Sequence, residues 1–440
     1  MKKTDKTENQ IDRIKSKLKK ARRKDKDLTD FGSDLHKYVL NKRISKEALA
    51  KLEQENQVKL PEHFALFLTE VGNGGAGPYY GIYEIDKSLS YTGNTMALDC
   101  VLYPRMPKEE WNLLAGPFAS AERFTDEEYD AARDKITGGM LNFGTQGCSY
   151  DMYIVIQGAY SGKVVYAADI YADTPFFFTY EDNFLDWYER WLDEIILGYD
   201  TAWFGYKMPG GESELIQTYE GAQSAETKTD ALEGMFKLDK ISQEAICFLK
   251  SIAEDKKDRN NAIRLICKYS FDDGRPYIAE MIKSEEEEDV LETLKTLRGY
   301  GKGSDIQEFV NAIHGCLGMI EDHETLSFAG YILESFGTLT LKDIEPFLCH
   351  PNPLMRRSAI YATRGCSDKA ENAEIIAKTL TDCDEEVVRD SILYYGVVPH
   401  EELLPYYKAI WLKFKDNENF AKNFHGCLKK LKLPEDYFDK

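Results

Sequence analysis

Apolar residues recur three and four apart along most of this chain, and the places where that spacing fails predict a sheet. Phe64, Phe67, Leu68 and Val71 stand at i, i+3, i+4 and i+7, which predicts a helix entered at Pro61 and closed by Gly72 in a left-handed cap. Gly74, Gly75, Gly77 and Pro78 follow, a run unfit for regular structure that predicts a tight loop with exposed backbone. Residues 79–85 then read as a strand. Upstream, residues 28–58 have helical spacing, with Leu35, Val39, Leu49 and Leu52 as core contacts. Downstream, residues 96–103 read as a second strand, and residues 125–135, opening Thr-Asp-Glu-Glu, as a helix with an acidic first turn. Residues 140–143 and 151–157 alternate as strands, residues 158–162 form a Gly-containing turn, and residues 163–167 complete a hairpin. Asp182 or Asn183 can cap a closing helix whose stripe of Phe184, Trp187, Tyr188, Trp191 and Ile195 reads as core packing rather than a ligand platform.

Strand-like patterning stops near Trp203, and Met208-Pro209-Gly210-Gly211 marks residues 203–214 as a linker. Beyond it, helical segments follow one another with short polar breaks. Residues 350–362 align with residues 382–394 at a shift of 32, Arg356-Arg357-Ser358-Ala359-Ile360 echoes Arg259-Asn260-Asn261-Ala262-Ile263, and weaker echoes lie near Val290 and Leu326. A helical-pair repeat of ~30 to 40 residues predicts an α-solenoid. The stretch from Asp382 to Arg389 resembles the start of the second helix of a HEAT repeat, which implies that Arg389 reaches a neighbouring repeat.

Leu60-Pro61, an aromatic helix, Gly72-Asn73-Gly74-Gly75 and then Gly77-Pro78-Tyr79-Tyr80-Gly81-Ile82-Tyr83 resemble the opening of the SUKH superfamily. That superfamily includes fungal cell-wall-assembly regulators and bacterial toxin-immunity proteins. Leu141-Asn142-Phe143-Gly144, residues 151–157, Val164-Val165-Tyr166 and residues 184–188 agree in order, so the resemblance covers roughly residues 30–200. The expected architecture is a basic arm (1–27), an α+β SUKH-like domain with a mostly antiparallel sheet and covering helices (28–202), the linker, and an all-α HEAT-like solenoid (215–440).

Charge changes the picture most. The 440 residues carry a net −20, which argues against a general nucleic-acid binder and favours cationic partners. The first 27 residues hold 12 Lys and Arg against 5 Asp and Glu, leaving 44 against 71, or −27, for the rest. This arm can touch nucleic acid or an acidic membrane weakly, or fold back on its own acidic body; Ile11, Ile14 and Leu18 give it a thin apolar stripe. Nine cysteines, none in a C-x-x-C pair, fit reduced thiols. No apolar run reaches the ~18 residues of a membrane span, so a soluble, cytoplasmic protein is expected.

Catalytic and cofactor motifs do not assemble. Gly72, Gly74 and Gly77 spell G-x-G-x-x-G, but they leave a helix and enter a strand, the reverse of a dinucleotide site. Residues 299–304 look like a phosphate loop but miss its spacing, so an interhelical turn is expected. Residues 285–289 read as a solvated acidic helix start. Cys349, His350, Cys366 and Cys383 follow the repeat spacing and read as buried structural thiols rather than metal ligands. Glu84, Asp86, Asp99, Asp151, Asp169 and Asp173 lie on or beside strands, where paired carboxylates could perform acid/base chemistry.

The sequence therefore leads to a non-enzymatic protein-binding module without metal or cofactor. The SUKH resemblance implies an immunity protein that neutralises a polymorphic toxin, often a nuclease. Contacts are expected at Asn73, Gly74, Gly75, Tyr79, Tyr80, Glu84 and Asp86. The alternatives are a scaffold that assembles endogenous partners and, third, a hydrolase using the first domain's carboxylates.

Overall fold

In a computed structural model, which describes residues 3–119, 125–168, 176–255, 257–364, 366–369, 371–395, 398, 401–434 and 436–439, four antiparallel strands carry the first half of the chain. They are β1 (Met140–Gly147), β2 (Tyr150–Val155), β3 (Val164–Ala167) and β4 (Phe176–Phe178), hydrogen-bonded in sequence order. Cys148 and Ser149, with φ of 49° and 67°, join β1 to β2 through a two-residue connection whose left-handed backbone matches strand twist. The chain divides into two compact units, residues 1–245 and 246–440.

Alternation along the strands loads both faces of the sheet. Leu141, Phe143, Ile154, Val164 and Tyr166 pack into the larger core with Phe64, Phe67, Leu68, Phe184, Trp187, Tyr188 and Trp191. Met140, Val155 and Val165 point the other way, onto Leu102, Trp111, Ala115 and Ile136. The closing helix, Phe184–Leu197, is capped by Asn183, whose side chain accepts from Asp186 N at 3.1 Å, and its aromatic stripe is buried as expected. Phe184 meets Phe64 edge to face at 4.8 Å, and Phe143 meets Trp187 the same way at 5.5 Å. Such pairs add about 1 kcal/mol each beyond area burial.

Several expectations need correction. Gly72 does not adopt a left-handed cap: a π-turn, Phe67–Val71, follows the short helix Glu62–Leu66, and Gly72 is extended at φ −176°. Its lack of a side chain matters because a Cβ there would lie 2.9 Å from Leu40 Cβ. Residues 79–85 contribute only single-residue bridges at Ile82 before the helix Ile85–Thr92 begins. Residues 96–103 are not a strand; a 3-10 turn, Gly93–Ala97, leads into irregular chain. The helix Asp126–Thr137 is present with a Thr125/Glu128 capping box. Leu35 and Val39 are exposed, while Leu49 is buried. Residues 203–214 pack within the first unit, where Phe204 sits in the larger core.

The basic arm is a helix, Lys3–Lys24, and part of that same core. Ile11, Ile14, Leu18 and Ala21 are buried, Arg13 grips Glu189 through two bonds of 2.8 and 3.0 Å, and Lys17 donates to Glu189 at 2.8 Å and Asp193 at 2.7 Å.

In the second unit the helices Arg259–Tyr269, Glu287–Tyr300, His323–Ser335, Pro353–Ala362, Glu385–Tyr395 and Glu418–Lys430 each touch the next to form one layer. Between them lie partner helices, of which Leu341–Leu348, Ala373–Leu380 and Leu404–Phe414 touch in turn. The echoes near Arg259, Val290, Leu326, Arg356 and Arg389 all fall in that first layer, so the repeat in the sequence is a repeat in the fold. Arg389 pairs with Glu386 on its own helix and, among the described residues, forms no ion pair with a neighbouring repeat. Arg356 and Arg357 make the inter-repeat contacts instead, to Asp382 at 2.8 Å and Asp390 at 2.6 Å. Residues 299–304 form the turn between Glu287–Tyr300 and Gly303–Cys316. Cys366 is buried, whereas Cys349 and Cys383 are exposed, contrary to their expected burial.

Candidate functional site

The glycine loop is a junction rather than an open backbone surface. Gly75 N donates to Ile82 O and Ile82 N to Gly75 O, both at 2.8 Å, while Asn41 N donates to Gly74 O at 3.0 Å and Ala76 N to Val39 O at 2.8 Å. Single bridges therefore run Leu40–Gly75–Ile82–Gly144 and extend the sheet past β1. Gly75 holds φ 97°, and a Cβ on it would meet Val39 O at 2.5 Å, so only glycine fits this crossing. Gly75→Val would report on stability and not on binding.

The expected contact residues separate into two groups. Asn73 Oδ1 accepts from Ile85 N at 3.0 Å, the first amide of the helix Ile85–Thr92. Tyr79 is buried, its hydroxyl donating to Phe204 O at 2.7 Å. With Gly74 and Gly75, these residues hold the fold together. Tyr80, Glu84 and Asp86 face solvent, and Asn41 Nδ2 donates to Glu84 Oε1 at 3.0 Å.

Tyr80 is not alone at the surface. Its ring lies over Gly147, where a Cβ would approach it to 2.6 Å, and stands 5.3 Å from Phe31. Phe31, Leu35, Val39 and Tyr80 are 46%, 63%, 53% and 38% exposed, with Asp34 exposed in the same segment. The sequence hid this surface because helical spacing assigned Leu35 and Val39 to the core. The helix here is only Ser33–His36, and Lys37 and Tyr38, at φ 50° and 57°, break the period so that Tyr38 is buried in their place.

The other carboxylates do not gather at one place. Asp99 is exposed, and Asp169 and Asp173 lie outside the described residues. Asp151 lines a polar cavity of about 350 Å³ with Tyr83, Tyr91, Arg133, Asp134, Asn142 and Tyr153. Burial raises the Asp151 carboxyl above its ordinary range, partly offset by bonds with Asn142, Thr145 and Tyr153, and the same burial pushes the Tyr153 hydroxyl up to about 12. Asp134, the cavity's second carboxylate, is held by Arg133 at 3.2 Å. Among the described residues no three His, Cys, Asp or Glu side chains form a metal-ligand group.

A larger cavity, about 660 Å³, opens beside the smaller core on the same face of the sheet, walled by Trp111, Phe176, Phe178, Tyr103 and Tyr206. Arg105 at its rim pairs with Glu226 at 3.3 Å and Asp230 at 3.2 Å. Its walls come from β4, from residues 102–106, which overlap the strand expected over 96–103, and from the helix Lys108–Ala119, which the periodicity did not single out.

Among the described residues no helix is long and apolar enough to cross a membrane. No family model matches the chain, and neither a curated protein nor a solved structure matches it.

Proposed function

We propose that this chain is a protein-binding module of the immunity type, in which a SUKH-like first domain joined to HEAT-like repeats captures a basic toxin domain, such as a nuclease, in the cytoplasm. The observation that carries this reading is the exposed apolar group Phe31, Leu35, Val39 and Tyr80, accompanied by Asp34, Glu84 and Asp86, on a chain of net charge −20. An aromatic and aliphatic centre with a charged rim has the anatomy of an interface, and the acidic field speeds encounter with a cationic partner. The scaffold alternative draws support from the solenoid, where Tyr331, Tyr361 and Tyr394 meet edge to face at 5.5 and 4.9 Å along the first layer.

Affinity capture from cells at rising salt tests the proposal. A basic protein is expected whose retention falls as salt rises. Leu35→Asp combined with Tyr80→Ala should weaken capture at least tenfold with unchanged melting, and Glu84→Lys with Asp86→Lys should remove most of the salt dependence. Recovery of neutral or acidic partners alone, or equal capture by these variants, would overturn it.

A further inference from the structure

The N-terminal helix uses its cations in two different ways. Arg13 and Lys17 are paired with Glu189 and Asp193. At the helix's other end Lys19, Arg22, Arg23, Lys26 and Lys37 surround a cavity of about 620 Å³ floored by Leu28. Lys26 meets Asp27 at 3.9 Å, and the side chains of the other four form no ion pair among the described residues. In a chain with 76 carboxylate side chains, five cations gathered in one hollow, four of them without a carboxylate partner among the described residues, form an arrangement that folding alone does not require. Helix polarity accounts for cations in the last turn. It does not account for Lys37, which another segment brings to the same hollow.

The backbone adds a second, independent observation. Leu28 and Lys37, two of the three lining residues that lie beyond the helix, hold left-handed backbone, at φ 54° and 50°, which ordinary side chains rarely adopt. Such conformations persist where the surroundings impose them and cluster at ligand sites. They are held by Asp25, whose buried carboxylate accepts from Thr29 N at 2.8 Å and from the Tyr38 hydroxyl at 2.9 Å.

From this cluster we infer a binding site for a compact, multiply phosphorylated anion, of which a short condensed phosphate chain is the simplest case. Its size is that of a small-molecule site. None of its lining residues is aromatic, so a nucleobase would find no ring to stack on and recognition rests on charge. A long polyanion is disfavoured, because it would overrun the hollow onto exposed Asp27 and Asp34 and onto a body of charge −27.

Calorimetric titration of the full chain with sodium tripolyphosphate tests the site, with orthophosphate, a short single-stranded RNA and phosphatidylserine vesicles as comparisons. Tripolyphosphate should bind at least tenfold more tightly than orthophosphate, and more weakly as salt rises. Arg22→Ala with Arg23→Ala should weaken it at least tenfold, and Lys37→Asn, in which asparagine tolerates the left-handed backbone, about threefold; Lys20→Ala should leave it within about twofold. Melting of each variant separates lost binding from lost folding, and Lys37→Asn keeps the test valid if the double variant unfolds. Undetectable tripolyphosphate binding, equal binding by Lys37→Asn and Lys20→Ala, or binding of only RNA or vesicles would overturn the inference.

Discussion

His36 shows how one side chain can carry the acid response of the first unit. Its Nδ1 accepts from Tyr38 N at 3.0 Å, its ring packs against Trp191 at 5.7 Å, and its buried Nε2 has no hydrogen-bond partner among the described residues. Burial holds the imidazole neutral down to about 4, although Asp25 and Asp34 pull the other way. Because the unfolded value is about 6.5, the unfolded chain binds the proton first and stability is lost as pH falls from about 6.5 to about 4. Asp30 opposes this: burial raises its carboxyl to about 6, so its protonation restores stability over nearly the same window, from about 6 to about 4. Urea unfolding of Asp30→Asn should therefore lose stability more steeply between pH 6.5 and 4.5 than the parent chain, and His36→Asn less steeply. About 1 kcal/mol is expected for each slope change, discounted because neither group is wholly removed from water. Parallel curves would show that neither residue governs the acid limb. The positions of His36 and Asp30 were illegible in sequence, since His36 stands beside the left-handed step at Lys37 and Tyr38 and Asp30 is bonded by distant Thr201, neither of which a local pattern announces.

Elements with a strong apolar period were legible, and those fixed by distant partners were not. Phe64 to Val71, the closing helix and the β1–β2–β3 meander follow from spacing and capping residues. The basic arm folds back on its own acidic body, as its charge allows, with Arg13 and Lys17 on Glu189 and Asp193; what its polar composition hid is the depth of the contact, since the narrow stripe of the helix Lys3–Lys24 enters the core. Ile14→Ala should accordingly cost about 3 kcal/mol in chemical unfolding, whereas exposed Lys20→Ala should change stability by less than about 0.5 kcal/mol. Equal effects would mean that the helix is not part of the folded core. The candidate site was half legible for the same reason: Tyr80, Glu84 and Asp86 stayed outside, but long-range bridges from Leu40 and Gly144 closed over the glycines between them.

At the scale of the whole molecule, charge sets a constraint that no single contact removes. Beyond the first 27 residues the chain carries −27, and ion pairs such as Arg356–Asp382 and Arg190–Glu194 neutralise it only locally. Self-repulsion of this size is screened by salt, while pairs held away from water are screened much less. Tm should rise by about 2 to 4 °C between about 10 and about 150 mM NaCl, and a falling Tm would mean that exposed ion pairs outweigh repulsion. The solenoid's order was visible in the sequence as a shift of 32, because each repeat packs mainly on its neighbours and so preserves a local period. The exposed apolar surface was not visible, because it is assembled from segments 31–39 and 80. The bridge at Gly144 has one more consequence. Asn142 N donates to Thr92 Oγ1 at 2.9 Å and Phe143 O accepts from Tyr83 N at 2.8 Å, so these two outward groups of β1 are already occupied and do not template an incoming strand. At this point of the margin a docking partner is recognised through side chains rather than by adding a strand.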